Sequence, residues 1–253
     1  MTDFRDLHVP GNPLVLVNAW DAASARIVEA AGAAAVGTTS AGVAWSLGRP
    51  DGDALERDAA VAAVARITDA VTVPVTADIE KGYGDVAETV RRIRAAGAVG
   101  VNIEDGVVAQ PDRIAAARAA APDLFLNVRI DTFLAGVGGL DETIERAAAY
   151  LAVGADGIFV PGVTDPDTVA LLVERIAAPV NIMVGPGAPT VAELAKLGVA
   201  RISLGSAVAQ AAYGLVGRVA ESALRGGGYD ELAGAADYGV LNALLTPGAS
   251  GRG

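Results

Sequence analysis

The sequence predicts a single α/β domain, a (β/α)8 TIM barrel with an additional C-terminal helix. Three observations carry that reading. First, a joint made of a helix end, a glycine, small residues and an apolar strand recurs four times. It reads EAAGAAAVGTTS, RAAGAVGVNIED, LAVGADGIFVPG and AKLGVARISLGS, with closing glycines at Gly32, Gly97, Gly154 and Gly198. Repetition of this joint means that helices and strands alternate, and alternation makes the strands parallel. Second, the runs of strand type number eight, and eight βα units fit a 253-residue chain. Third, the main competitor, an open doubly wound sheet, is not supported by any Gly-rich dinucleotide fingerprint.

The first strand is read at 14–18 and the first helix at 22–31, closed by Gly32 where a left-handed residue is favoured. A second strand is read at 35–39, and TTSAGVAWSLGRPD, 38–51, reads as a βα loop. Val61, Val64, Ile67 and Val71 follow helical spacing ahead of a strand at 73–77, and Val86, Val90 and Ile93 do so ahead of 99–103. Strands follow at 124–129, 157–160, 180–184 and 201–204, with Ile144, Ala148 and Leu151 marking a helix between the first two. Asp85 with Glu88, and Thr190 with Glu193, stand at capping-box spacing. GPGAPT, 185–190, reads as a tight turn.

Beyond the last strand, 207–225 reads as a helix, Gly226 to Gly228 as a break, and 229–245 as a second helix. Its Leu232, Ala236, Val240 and Leu244 form an apolar stripe that a lone helix cannot leave exposed. No linker divides residues 1–253, so one barrel domain is expected, with a frayed tail. The segment 229–253 is expected to pack on a neighbouring subunit of a homodimer or homotetramer.

A formal charge of −11 argues against nucleic acid and anionic membranes as partners. The absence of cysteine excludes disulfides, thiolate metal sites and cysteine catalysis. The single histidine, His8, precedes the first strand and is expected at the surface. No apolar run approaches a membrane span and MTDFRDLHVPGNP lacks a signal-peptide pattern, so a soluble cytoplasmic protein is expected.

The runs 73–77 and 99–103 end in acidic residues, Asp78 with Glu80 and Glu104 with Asp105. Carboxylates from neighbouring strand ends, without cysteine and almost without histidine, suit a hard cation held by oxygen, Mg²⁺ first, with Mn²⁺ as a substitute. Active sites of such barrels lie at the C-terminal strand ends. That rule also selects Thr39, Ser40, Arg129 and Asp131. Arg129, a lone cation among acids, suits a small dianionic or carboxylate-bearing substrate. The plainer alternative is an ion pair that only neutralises Asp131 or Glu104.

These residues carry a resemblance. ADIEKGYGD is similar to the DADTGYG segment, and NIEDG to the IEDK/IEDQ segment, of the phosphoenolpyruvate mutase/isocitrate lyase superfamily, with flanking likeness over roughly residues 12–225. The resemblance implies a homo-oligomeric, Mg²⁺-dependent barrel enzyme for 2-oxo acids. Asp78 would be the nearest metal ligand, Glu80 and Glu104 would act through water, and Asp51 would reach the outer shell. Thr39, Ser40 and Ala41 fall where the superfamily holds a substrate carboxylate. Arg129 with Asp131 falls where an arginine contacts the substrate, and Tyr83 matches the GYG tyrosine, a candidate for proton transfer.

One stretch departs from the pattern. Lyases of the superfamily carry Lys-Lys-Cys-Gly-His soon after the IED segment, and mutases Lys-x-Asn-Ser. Here Gly106-Val107-Val108-Ala109-Gln110 stands instead. That loop disfavours cysteine-assisted methylisocitrate cleavage and phosphoryl transfer. The expectation is a carbon–carbon lyase working through an enolate, by decarboxylation or retro-aldol cleavage. The alternatives are a phosphoenolpyruvate/phosphonopyruvate mutase or hydrolase, a non-catalytic 2-oxo acid-binding barrel, and an inert scaffold.

Overall fold

The computed structural model of the chain describes residues 3–246. In chain order the strands are β1 (Leu14–Leu16), β2 (Asn18–Ala19), β3 (Val36–Thr38), β4 (Val75–Asp78), β5 (Gly100–Glu104), β6 (Phe125–Arg129), β7 (Gly157–Val160), β8 (Val180–Met183) and β9 (Arg201–Ser203). All pair in parallel. The order runs β1-β9-β8-β7-β6-β5-β4-β3-β2. Its two ends, β1 and β2, are halves of one strand interrupted at Val17. The first half bonds to β9 and the second to β3, so the sheet closes on itself. The eight expected strands therefore form an eight-membered barrel whose first stave changes partner part-way.

The helices are α1 (Ala22–Ala30), α2 (Ser40–Ser46), α3 (Arg57–Ala70), α4 (Val86–Ala95), α5 (Pro111–Ala120), α6 (Thr132–Ala135), α7 (Gly139–Ala152), α8 (Pro166–Arg175), α9 (Val191–Lys196), α10 (Ala207–Leu224) and α11 (Tyr238–Leu245). Their apolar faces cover the outside of the sheet. Val90, Ile93, Ile103, Ile114, Leu126, Ile158, Leu172 and Ile182 are all buried there. Thr190 and Glu193 complete a reciprocal capping box, and Asp85 accepts the Glu88 amide at the start of α4.

The structure corrects five expectations. His8 is not at the surface. The short turn Phe4–Leu7 tucks under the barrel, and His8 is 6% exposed. Its ring stacks on Phe125 at 4.0 Å and meets Phe4 edge-on. Room for this plug comes from Gly100, where a Cβ would approach Phe4 to 3.0 Å. Second, part of the 38–51 loop is the helix α2, because Thr39 accepts the Gly42 amide as its N-cap. Third, the buried face of α7 is Thr143, Arg146, Ala147 and Tyr150, and Ala148 is exposed. Fourth, Asp78 and Glu104 are the last residues of their strands rather than loop residues beyond them. Fifth, 229–245 is not one helix. A 3₁₀ turn at Asp230–Leu232 is followed by a bend, and α11 starts only where Asp237 caps Val240.

α11 lies against α1 of its own chain, where the Arg26 guanidinium donates to the Leu244 carbonyl at 2.9 and 3.1 Å. The fraying expected of the tail falls on 247–253, outside the described residues. No helix among the described residues is long and apolar enough to cross a membrane.

Candidate active site

The carboxylates gather at the C-terminal rim because adjacent parallel strands end together there. Glu104 and Arg129 pair in register on β5 and β6, which sets their side chains on one face. Arg129 NH1 donates to Glu104 Oε1 at 2.6 Å, and its Nε donates to Asp131 Oδ1 at 2.6 Å. Arg129 thus lies among the acidic residues of the rim, and the ion pairs that the sequence left as the plainer alternative are formed to both Glu104 and Asp131. On β4, Asp78 Oδ2 accepts from the Ser40 hydroxyl at 3.0 Å and the Ser40 amide at 3.4 Å. Its Oδ1 accepts from the Glu80 amide at 3.4 Å.

Glu80 begins a strained turn. Glu80 and Tyr83 have φ of 50° and 48°, and facing Asp53 has 60°. Left-handed residues other than glycine cost on the order of 1 kcal/mol or more and persist where surrounding contacts hold them. Here the Asp53 amide donates to Glu80 Oε2, and Lys81 Nζ lies 3.7 Å from Asp53 Oδ2. The buried Glu80 Oε1 has no hydrogen-bond partner among the described residues.

Burial raises the carboxyl groups of this rim, and their mutual repulsion adds to it. Glu104 is pushed up to about 8 by burial and by Asp78, Asp131 and Glu80, against the pull of Arg129. Glu80 is raised to about 6 by burial, with the Asp53 amide opposing and Asp51, Asp53 and Asp78 adding. Asp78 is raised by burial in spite of Arg129 and Ser40. The Tyr83 hydroxyl is raised by burial and then by Glu80 and Asp78, so it stays protonated. Crowded carboxylates of this kind are relieved by a cation.

The donor set fits Mg²⁺ in one particular way. Every candidate ligand is oxygen, and Glu80 Oε1 is an acceptor awaiting a partner. Among the described residues, no three Asp, Glu or His side chains converge closely enough to share one ion directly. An ion touched by a single carboxylate would suit this arrangement, and Asp78, Glu80 and Glu104 are the side chains that could hold it or its waters. Mg²⁺ characteristically keeps several waters.

The remaining expected residues separate. Thr39, Ser40 and Ala41 are buried at the start of α2, beside Asp78. Asp51 is exposed and acts on Glu80 through its charge. Asp131 is buried and bonded to Arg129. Asp105 turns away from the rim. It accepts from Arg146 NH1 at 3.0 Å, Tyr150 Oη at 2.8 Å and the Asp131 amide at 3.1 Å. Arg146 also donates to the Val107 carbonyl, and the Gln110 amide donates to Tyr150 Oη, both at 3.0 Å. The loop after β5 is thereby pinned at both ends.

Sequence reasoning missed Asp53, the Arg146–Tyr150 clamp and a polar layer inside the barrel. Asn127 Nδ2 bonds Asn102 Oδ1 at 2.9 Å and Asn181 Oδ1 at 3.1 Å, and Arg201 NH2 bonds Asn102 Oδ1 at 3.0 Å. A signal was present: VNIE, LNVR and VNIM carry an asparagine at matching places in three apolar strands.

The family model for phosphoenolpyruvate phosphomutase matches residues 4–224. The chain belongs to that family. Among curated members of the superfamily, it is 35% identical over 185 residues to 2-methylisocitrate lyase of Escherichia coli K12, covering 64% of this chain and 62% of that one. It is 30% identical over 235 residues to the oxaloacetate decarboxylase of a Bradyrhizobium species, covering 82% and 79%. A solved structure from Burkholderia cenocepacia J2315, described only as a lyase/mutase, superposes with a TM-score of 0.88 at 39% identity, covering 98% and 96%. Phosphonopyruvate hydrolase in complex with oxalate and Mg²⁺ superposes with a TM-score of 0.82 at 26% identity, covering 96% and 95%. Membership of this family makes the chain a relative of lyases, mutases and hydrolases alike.

Proposed function

We propose that this family member is a Mg²⁺-dependent carbon–carbon lyase that acts on a small 2-oxo acid through an enolate, by decarboxylation or retro-aldol cleavage. One observation carries the choice among family reactions. The loop after β5 is pinned short, and its Gly106-Val107-Val108-Ala109-Gln110 holds no acid, base or phosphate-binding cation. Loss of CO₂ from a 3-carboxylated 2-oxo acid needs no protein base. The bond to the departing carboxylate breaks, its electron pair forms the enolate, and the freed carbon then takes a proton.

Bound Mg²⁺ supplies Lewis-acid polarisation of the keto oxygen. Asp78 holds the cation, with Glu80, Glu104 and Asp51 around it. Thr39, Ser40 and Ala41 receive the substrate carboxylate at the start of α2. Arg129, fixed by Glu104 and Asp131, presents an oriented guanidinium to the oxygen on which charge develops. Tyr83 offers a hydrogen bond rather than its proton, since burial and the neighbouring Glu80 and Asp78 disfavour the tyrosinate that proton transfer would leave. The enzyme works in the cytoplasm as a homo-oligomer.

Single-turnover assays on oxaloacetate, 2-methylisocitrate and phosphonopyruvate with Mg²⁺ test the reading. Pyruvate released from oxaloacetate, with no phosphate from phosphonopyruvate, is the expected result. Phosphate release would replace the lyase with a hydrolase, and saturable binding without turnover of any of the three would leave a binding barrel.

A further inference from the structure

The barrel interior beneath the carboxylate rim holds a second cation. Inward positions in barrels of this class are dominated by bulky branched side chains. Here the layer below the rim contains Arg201, Asn102, Asn127, Asn181 and Thr76, all buried. Arg201 opens β9 and is 1% exposed. Its side chain crosses the interior to β5 on the opposite wall, where NH2 donates to Asn102 Oδ1 at 3.0 Å. Asn127 donates to the same oxygen at 2.9 Å, which fixes it as the acceptor.

No carboxylate among the described residues cancels this charge by contact. Arg201 Nε and NH1 find no hydrogen-bond acceptor among the described residues. Arg129 differs, since it is in direct contact with two carboxylates. His8, on the barrel floor below, is held neutral, its ordinary value lowered to about 4 by burial and by Arg201. Asn102 pairs in register with Asp78 on the neighbouring strand. Arg201 therefore stands one hydrogen bond from the residue beside the proposed cation ligand; burial lowers its guanidinium to about 9, still charged at neutral pH, and Asp78 is the carboxylate that opposes this. Charges in a poorly solvated interior are felt across such distances far more strongly than in water.

We propose that Arg201 is a positioning residue, an internal counter-charge beneath the carboxylate rim that sets the balance between its affinity for the divalent cation and its affinity for the anionic substrate. The inference rests on the functional reading only in taking Asp78 as the cation's ligand. A positive charge below the site opposes the cation and favours the anion. Its removal must therefore move the two affinities in opposite directions, which loss of a merely structural residue does not do.

The test is titration calorimetry of Mg²⁺, and of oxalate at saturating Mg²⁺, on the full chain, with every protein compared at the same near-neutral pH, where Arg201 keeps its charge. Arg201→Met removes the charge with similar volume, a kind of change that is often neutral or stabilising for buried ions. Arg201→Gln removes it while keeping an N–H for Asn102, and Arg201→Lys keeps the charge. In the neutral variants Mg²⁺ is expected to bind on the order of tenfold tighter and oxalate on the order of tenfold weaker, with Arg201→Lys near wild type. Affinities that fall together, or an Arg201→Lys variant that behaves like Arg201→Met, would overturn the proposal in favour of a packing role. A wild type that binds Mg²⁺ while both neutral variants match it removes this inference alone. A wild type that binds no Mg²⁺ removes the functional reading and the inference with it.

Discussion

Asp78 accepts from Ser40 on one oxygen and from the Glu80 amide on the other, which aims its carboxylate across the rim rather than out to solvent. Glu80 keeps one buried oxygen without a partner among the described residues. Asp78→Ala is accordingly expected to abolish Mg²⁺ binding in calorimetry, whereas Glu80→Ala should weaken it about 10–100-fold, the usual cost of a residue that acts through another ligand. Unchanged affinity in the Asp78 variant would remove the assignment. Arg129 uses two nitrogens in different directions, toward Glu104 and Asp131. A lysine cannot reproduce that fork. Once a substrate is identified, Arg129→Lys should lower kcat/KM on the order of 100-fold at unchanged charge, and near wild-type kinetics would make Arg129 structural. These residues were legible in the sequence because they sit at strand ends beside apolar runs. Asp53 was not, because it serves Glu80 through a backbone amide, and any residue in that turn carries one.

Two elements owe their conformation to contacts far along the chain. The loop after β5 is held by Asp105, Arg146 and Tyr150, residues up to 45 positions apart. With this clamp the fully buried face of α7 includes Arg146 and Tyr150, while Ile144 and Leu151 pack against the core only partly buried. The N-terminal turn is the second case. His8 Nδ1 lies 3.0 Å from the Phe4 carbonyl, and the ring is buried as the neutral form. As pH falls through about 6.5 the unfolded chain binds the proton first, and the folded chain follows only near 4. The stabilisation from His8 is therefore complete above about pH 6.5 and lost progressively toward pH 4, by about 3 kcal/mol in all. Urea unfolding of wild type and His8→Gln across that range should show their stability difference shrinking by this amount. A constant difference would place His8 in solvent. Nothing in MTDFRDLHVP marks the turn as a plug, because the space it fills is created by Gly100 and bounded by Phe125, both distant in sequence.

At the scale of the molecule, the barrel is closed and its helical cover complete before α11, yet much apolar surface stays in water. Val216, Leu224, Tyr229, Tyr238 and Val240 are 63%, 88%, 72%, 83% and 65% exposed. They lie on α10 and the segment after Gly226, and a single chain leaves them uncovered although α11 touches α1. Exposure on this scale marks an interaction surface, and a second copy of the chain is the occupant expected. Light scattering at micromolar concentration should report a dimer or tetramer, and removal of residues 228–253 should give a smaller, aggregation-prone species. A monomeric wild type would refute this.

The periodicity of small residues and apolar runs was enough to determine alternating βα units with parallel strands buried on both faces, and the count of eight without a dinucleotide fingerprint favoured the closed barrel over the open sheet. It also placed the acidic rim, because the ends of parallel strands share one edge. What lay inside the barrel was decided only by tertiary structure. An arginine at the start of a strand reads as a surface residue until closure of the sheet turns it inward, onto an asparagine 99 positions away. Local pattern reports which way a side chain alternates along its strand. It does not report what stands on the opposite wall, and that is what gives Arg201, His8 and Asp105 their chemistry.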